Sequence, residues 1–318
     1  MRKITYIDLH VPTCWHELTT SQVERVASIM VQSIRNNGKD GINLEYVKAR
    51  LFFYFTGLVI IRQVNEEEPI EERRFLVRKD GIKEEFEIGL WEIHYWMEQM
   101  KWIEHPSDRL VTPYEHYSRW TWSGRHRYKG PSALMQDFSY QQYRLAGEYM
   151  NFYVLESNKL AGMKADADRK ALRRQMQAVA KAKGLFLASL FTRRCRYRDV
   201  KTRNIKRGYI YHSLQSLENW KDFAGFPEEK FQCVLFWWSA TLNWLRKRYP
   251  KVFRETSPKK NAMVNPLEVY SRTTATMEKY LGINEESLNN ELYLNVLQHL
   301  QDMMDESDRM KELERKHH

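Results

Sequence analysis

The chain has 318 residues, with 51 Lys and Arg, 41 Asp and Glu and a formal net charge of +10. That length allows two domains, or one large domain with extensions, and buries a substantial core without disulfides or metals. Three cysteines do not make the disulfide framework of a secreted scaffold and point to a reducing cytoplasm, while 13 Gly and 9 Pro argue against a disordered or solenoid chain and favour helix.

Taken in chain order, residues 2–10 read as a strand, with Ile4 and Tyr6 on one face and Thr5, Ile7 and Leu9 on the other. The same opening lacks the apolar core of a signal peptide, and Asp8 interrupts it early. Thr19 and Gln22 have the spacing of a capping box, Leu18 and Val23 that of a hydrophobic staple, and Val23, Ala27, Met30 and Ile34 repeat at helical period. A second helix is predicted over Leu44–Thr56, ended by Gly57. Leu58–Val64 and Arg74–Arg78 read as strands around an acidic loop, and Asp80-Gly81 signals a type I′ hairpin returning through Ile82–Ile88. A helix over Leu90–Trp102 follows. The most apolar run, Leu51–Ile61, falls well short of the roughly 20 residues of a membrane span, so a soluble protein with no membrane partner is expected.

Residues 104–136 hold prolines 106, 113 and 131, glycines 124 and 130, and little periodicity, which reads as a linker or long loop. Beyond it the pattern is helical: Ser139 caps a helix to about Glu156, and Lys164–Phe191 forms one long helix or two with a break at Gly184. Pro227, Glu228 and Glu229 open a helix that closes in Arg246-Lys247-Arg248, matching the dipole at both ends. Its body is apolar nearly all round, the mark of a helix at the hub of a domain. Helices over 266–281 and from 285 to the end complete the chain. The reading is a mainly α, α+β protein: 1–103 a small mixed α/β module with a β-hairpin, 104–136 the linker, 137–254 a basic helical domain, and 255–318 a C-terminal helical pair.

Charge is uneven. Residues 1–110 carry a net −3, residues 111–260 a net +18 and residues 261–318 a net −5. A block that basic suggests an anionic partner, nucleic acid or an acidic protein face, and equally fits a basic surface packed on the chain's own acidic ends. The densest segment holds Arg193, Arg194, Arg196, Arg198, Lys201, Arg203, Lys206 and Arg207, and a second interleaves Trp120 and Trp122 with Arg125 and Arg127. Guanidinium groups grip phosphates and flat aromatics stack on bases, so these residues form a candidate site for single-stranded DNA or RNA. No phosphate-binding glycine loop, nucleophile elbow or paired metal-ligand spacing occurs. Glu228-Glu229-Lys230 reads as a helix start, and Cys14, His16, Cys195, His212 and Cys233 lack the spacing of a zinc module. No catalytic or metal residue and no cofactor is nominated, and a non-enzymatic protein is expected.

The opening Ile7-Asp8-Leu9-His10-Val11-Pro12-Thr13-Cys14-Trp15-His16-Glu17-Leu18-Thr19 resembles a family of proteins encoded in phage and prophage regions of gut bacteria. Further echoes lie in Trp244-Leu245-Arg246-Lys247-Arg248-Tyr249-Pro250-Lys251-Val252-Phe253 and in the helix–stop–helix pattern from Val269 onward, about half the chain in all. The resemblance implies a cytoplasmic role in virion morphogenesis. The best match in kind is a tail-assembly chaperone that shields apolar helices of a tape-measure protein and binds phage tail or other virion proteins. On that reading the partner surface is the stripe Leu292, Val296, Leu300 and Met303 of the last helix. Nucleic-acid binding through the basic, aromatic centre is the alternative.

Overall fold

Thr19 and Gln22 close the capping box that their spacing predicts. The Thr19 N–H donates to Gln22 Oε1 at 2.8 Å and the Gln22 N–H to Thr19 Oγ1 at 3.3 Å. The computed structural model describes residues 8–37, 41–65, 67–105, 107–112, 114–122, 124–163, 168–198, 203, 205–209, 211–253 and 266–317. The strand expected at residues 2–10 falls largely outside them, and residues 8–10 belong to no strand. The architecture is α+β and mainly helical, and the chain divides into two compact units.

The first unit comprises Met1–Arg109 with Pro227–Ala240. Helices α1 (Thr20–Asn37) and α2 (Leu44–Thr56) precede an antiparallel sheet of β1 (Leu58–Gln63), β2 (Arg74–Lys79) and β3 (Glu85–Gly89), followed by α3 (Leu90–Glu98). Asn43 Oδ1 caps α2, and Gly57 ends it at φ +66°. Between β2 and β3 only Gly81 takes a positive φ (+80°), so the turn differs from type I′, which requires it at both central residues. Val26, Ile29, Leu51, Phe52, Val77 and Met100 fill the core. Trp15 and Trp102 meet edge to face at 4.8 Å, and each indole N–H is satisfied by a backbone carbonyl, Trp15 by that of Trp102 and Trp102 by that of Pro12. The buried Lys48 ammonium sits 2.5 Å from Glu104 and 3.5 Å from Glu45. Burial alone would lower its pKa, but the carboxylates outweigh it and the group is held above its ordinary value.

The second unit comprises Leu110–Phe226 with Thr241–His318. Its sheet corrects two expectations. Residues 104–136 are not a structureless linker, because β4 (His116–Thr121) and β5 (Gly124–Lys129) form a hairpin there. The basic run after residue 191 is not helical either, because β6 (Thr192–Arg198) and β7 (Ile205–Tyr209) form a second hairpin. Together they make a four-stranded antiparallel sheet in the order β4-β5-β6-β7. Helices α4 (Tyr140–Ala161), capped by Ser139, and α5 (Arg169–Leu190) pack on each other, and α6 (Ser213–Phe223) packs on α5. Of the two readings of this stretch the unbroken one holds at Gly184, through which α5 runs. A Cβ there would lie 2.5 Å from the Trp220 carbonyl oxygen, so glycine is what lets α5 and α6 approach.

The domain limits also shift. Helix α7 (Glu228–Arg248), expected as the hub of a second domain, has its residues to Ala240 in the first unit and those from Thr241 in the second. The C-terminal α8 (Pro266–Leu281), α9 (Glu285–Asn290) and α10 (Tyr293–His317) form no separate pair but belong to the second unit. There Tyr293 stacks on Tyr143 at 3.6 Å and donates its N–H to the Phe138 carbonyl at 2.8 Å. Among the described residues no helix is long and apolar enough to cross a membrane.

Candidate nucleic-acid interface

Alternation along β4 and β5 turns Tyr117, Arg119, Thr121, His126 and Tyr128 toward the helices. Tyr117 and Tyr128 pack on Phe223, at 5.1 and 4.8 Å between ring centroids, and Tyr117 also meets Phe191 and Phe226. The polar members of this inner face are held by α6. Tyr128 OH and His126 Nδ1 both lie 2.5 Å from Asp222 Oδ2. Arg119 donates to the carbonyls of Lys221 and Asp222, and Arg193 to Asn219 Oδ1 at 3.1 Å. Burial, reinforced by the Asp222 carboxylate, pushes the Tyr128 phenol far above its ordinary pKa, so it remains a hydrogen-bond donor.

The opposite face is open and basic. Its outward positions are His116, Ser118 and Trp120 on β4, Arg125, Arg127 and Lys129 on β5, Thr192, Arg194 and Arg196 on β6, and Ile205, Arg207 and Tyr209 on β7. No strand of the sheet contains an Asp or Glu. Trp120 is 76% exposed with the Arg125 guanidinium 5.9 Å from its ring centre, and Trp122 at the hairpin turn is 100% exposed. His116 lies parallel to Tyr209 across the sheet, at 6.4 Å and 26°.

A cleft divides this face. β4 and β5 pair along their whole length and β7 pairs throughout with Arg194–Arg198 of β6, but β5 and β6 pair only at Tyr128↔Arg193 and Lys129↔Thr192. Past those two rows the hairpins part, leaving a cleft of about 380 Å³. Arg125 and Arg127 line one side, Arg194 and Arg196 the other, and Arg207, Arg193, His126 and Cys195 complete it; among the described residues none that lines it is acidic. Several guanidinium groups converge there, and guanidinium groups can hold phosphates or carboxylates in bidentate fashion.

The structure therefore brings Trp120, Arg125, Arg127, Arg194, Arg196 and Arg207 to one face, with Trp122 at its edge. Arg193 differs from the expectation, because it shares the buried row of Tyr128 and is tied to Asn219. Arg203 and Lys206 are exposed, Lys206 in the row alternate to Arg207. The Arg198 side chain and Lys201 lie outside the described residues. Tyr209 and His116 were not foreseen. The signal for them was the two-residue period of Arg125, Arg127 and Lys129, matched by Arg194 and Arg196, which places charge on one side of a strand.

The stripe expected to bind tail proteins is not a free surface. Val296 (0% exposed) and Leu300 (6%) are buried in the second unit, Met303 is half-buried, and only Leu292 (45%) is open. Helix α10, which carries Val296, Leu300 and Met303, is fastened by the Tyr143–Tyr293 stack and by Lys251, whose ammonium lies 2.6 Å from Asp305 and 2.8 Å from Asp308. A helix whose apolar stripe meets its own domain has spent that stripe on folding. No family model, no curated protein and no solved structure matches the chain.

Proposed function

We propose that this protein binds single-stranded nucleic acid on the open face of the β4–β7 sheet, with phosphates in the cleft between the two hairpins and bases on the exposed aromatic rings. The observation that carries the reading is the sorting of side chains by face: the sheet buries its aromatic and hydrogen-bonded residues on α6 and leaves arginines, two tryptophans and a tyrosine in water. Arginine supplies bidentate contacts to phosphate, and stacking of one base on an aromatic side chain contributes about 1–3 kcal/mol. A flat platform with exposed rings favours unstacked bases over a closed duplex, whose bases are not available to stack. The phage or prophage setting implied by the opening segment is retained in this proposal, with the partner changed from a tail protein to a nucleic acid. The role is binding, with no bond made or broken.

The test is fluorescence anisotropy of labelled single strands and duplexes across a salt series. Engagement of five or six phosphates gives a log–log salt slope of about −4 for single strands. Reversing Arg194, Arg196 and Arg207 to Glu is expected to abolish binding at moderate salt and leave the helical circular dichroism unchanged. Undiminished binding by that variant, or tighter binding of duplex than of single strand, would contradict the reading.

A further inference from the structure

The arginines of the cleft are set closer together than a strand backbone would require. Arg196 and Arg207 are direct cross-strand partners in the β6–β7 hairpin. Paired strands lie about 5 Å apart, and like charges placed directly opposite oppose the pairing. Arg194 stands two residues from Arg196 on the same side of β6, about 7 Å along a strand, and Arg127 lines the other wall. Among the described residues no carboxylate engages any of these four guanidinium groups. Arg125 donates to Ser118 Oγ at 3.0 Å and Arg193 to Asn219 Oδ1 at 3.1 Å, both neutral acceptors, so their charges are not offset either. Repulsion of this kind is relieved by an anion that meets several guanidinium groups at once.

The charge density says what kind of anion. A phosphodiester carries one negative charge and is parted from the next by a sugar, so a strand backbone brings the cleft one charge at a time. A terminal phosphate carries nearly two. In a triphosphate two more charged phosphates follow, each joined through a single oxygen. The whole group brings about four charges, which matches Arg127, Arg194, Arg196 and Arg207, and its many oxygens suit forked donors. The cleft, at about 380 Å³, takes the place of roughly a dozen waters. That is room for three linked phosphates and more than a single diester fills. The pairs Tyr128↔Arg193 and Lys129↔Thr192 close one end of it, which suits a chain terminus. Arg125 lines the cleft and also lies 5.9 Å from the Trp120 ring centre, so a stacking surface for the first base stands beside the phosphates.

Building on the single-strand reading, we infer that the arginine cleft recognises the 5′-triphosphate end of a single-stranded RNA, the end left by a polymerase that starts a strand without a primer. Arg127, Arg194, Arg196 and Arg207 share the triphosphate, Trp120 takes the first base, and the strand continues over the open face.

The experiment compares three 3′-labelled nine-nucleotide RNA probes of one sequence by anisotropy at fixed salt, ending in a 5′-hydroxyl, a 5′-monophosphate or a 5′-triphosphate. A single added charge-assisted hydrogen bond corresponds to about tenfold in affinity or more, so the triphosphate probe is expected to bind at least about ten times tighter than the hydroxyl probe, with the monophosphate between them. The free nucleoside triphosphate of the probe's first residue, used as competitor, is expected to displace it far less well than unlabelled triphosphate RNA, because it lacks the strand's other contacts. In the double variant Arg196→Gln, Arg207→Gln the triphosphate and hydroxyl probes are expected to bind within about twofold of each other, since the diester contacts that remain are common to both. Equal binding of the three probes by the wild type, or a triphosphate preference that survives in the variant, overturns end recognition and leaves the single-strand reading standing. Competition by the free nucleotide equal to that by the RNA makes the cleft a nucleotide site and overturns the inference as well. Failure to bind any of the probes overturns both readings.

Discussion

Asp222 sets what the inner face of the β4–β5 hairpin can be. Because its carboxylate receives both Tyr128 and His126, polar residues can be buried where a sheet would ordinarily place Val or Ile. Leaving such a donor unpaired costs about 1–3 kcal/mol, so these strands depend on a partner nearly a hundred residues away. That dependence also hid them: residues 116–129 alternate, but between one set of polar residues and another, so the apolar signal of a strand is absent. The buried phenols make a pH prediction. Burial raises the pKa of Tyr128, Tyr143 and Tyr293, whereas unfolded tyrosine ionises near about pH 10. Their raised folded values give stability that is complete below the unfolded pKa and is lost as pH rises past it toward the folded one. The melting temperature is therefore expected to fall steeply from about pH 10 upward, and less steeply in Tyr128→Phe; a profile unchanged by that substitution would contradict the assignment.

Elements whose instructions are local were legible. The Thr19–Gln22 box, the Ser139 cap, the Gly57 stop and the three strands of the first unit follow from neighbours within a few positions. Elements whose instructions are distant were not. Around Gly184 the sequence leaves one helix or two open, and α5 runs through it because the missing side chain is required by Trp220 on α6. Gly184→Ala tests this. Alanine gains up to about 1 kcal/mol of helix propensity, but forcing a methyl against a backbone oxygen is expected to cost about 1–3 kcal/mol. The denaturation midpoint should fall. A midpoint that rises would show that α6 is not held at that distance. The α10 stripe shows the same limit in reverse. Its period correctly marks an apolar face, but period alone cannot say whether the face meets a partner or, as with Val296 and Leu300, its own domain.

At the scale of the whole molecule the basic centre of the chain takes on a shape. The net +18 of residues 111–260 includes a sheet without a single acidic residue, split by a cleft, with fully solvated tryptophan at its edge. Charge and aromatic content were legible along the chain and pointed to candidate residues. What could not be read was that two hairpins more than sixty residues apart share two rows of pairing and diverge beyond them, the feature that makes a site from those residues. The first unit has its own core of Trp15, Trp102, Phe52 and Leu51 and an acidic loop after β1, and no part in the proposed binding surface. The most direct test of the central claim is ultraviolet cross-linking of a bound single-stranded oligonucleotide, with the attached residues located by mass spectrometry. Cross-links on Trp120, Trp122, Tyr209 and His116 are the expected result; cross-links confined to the first unit or to the helices would contradict the account.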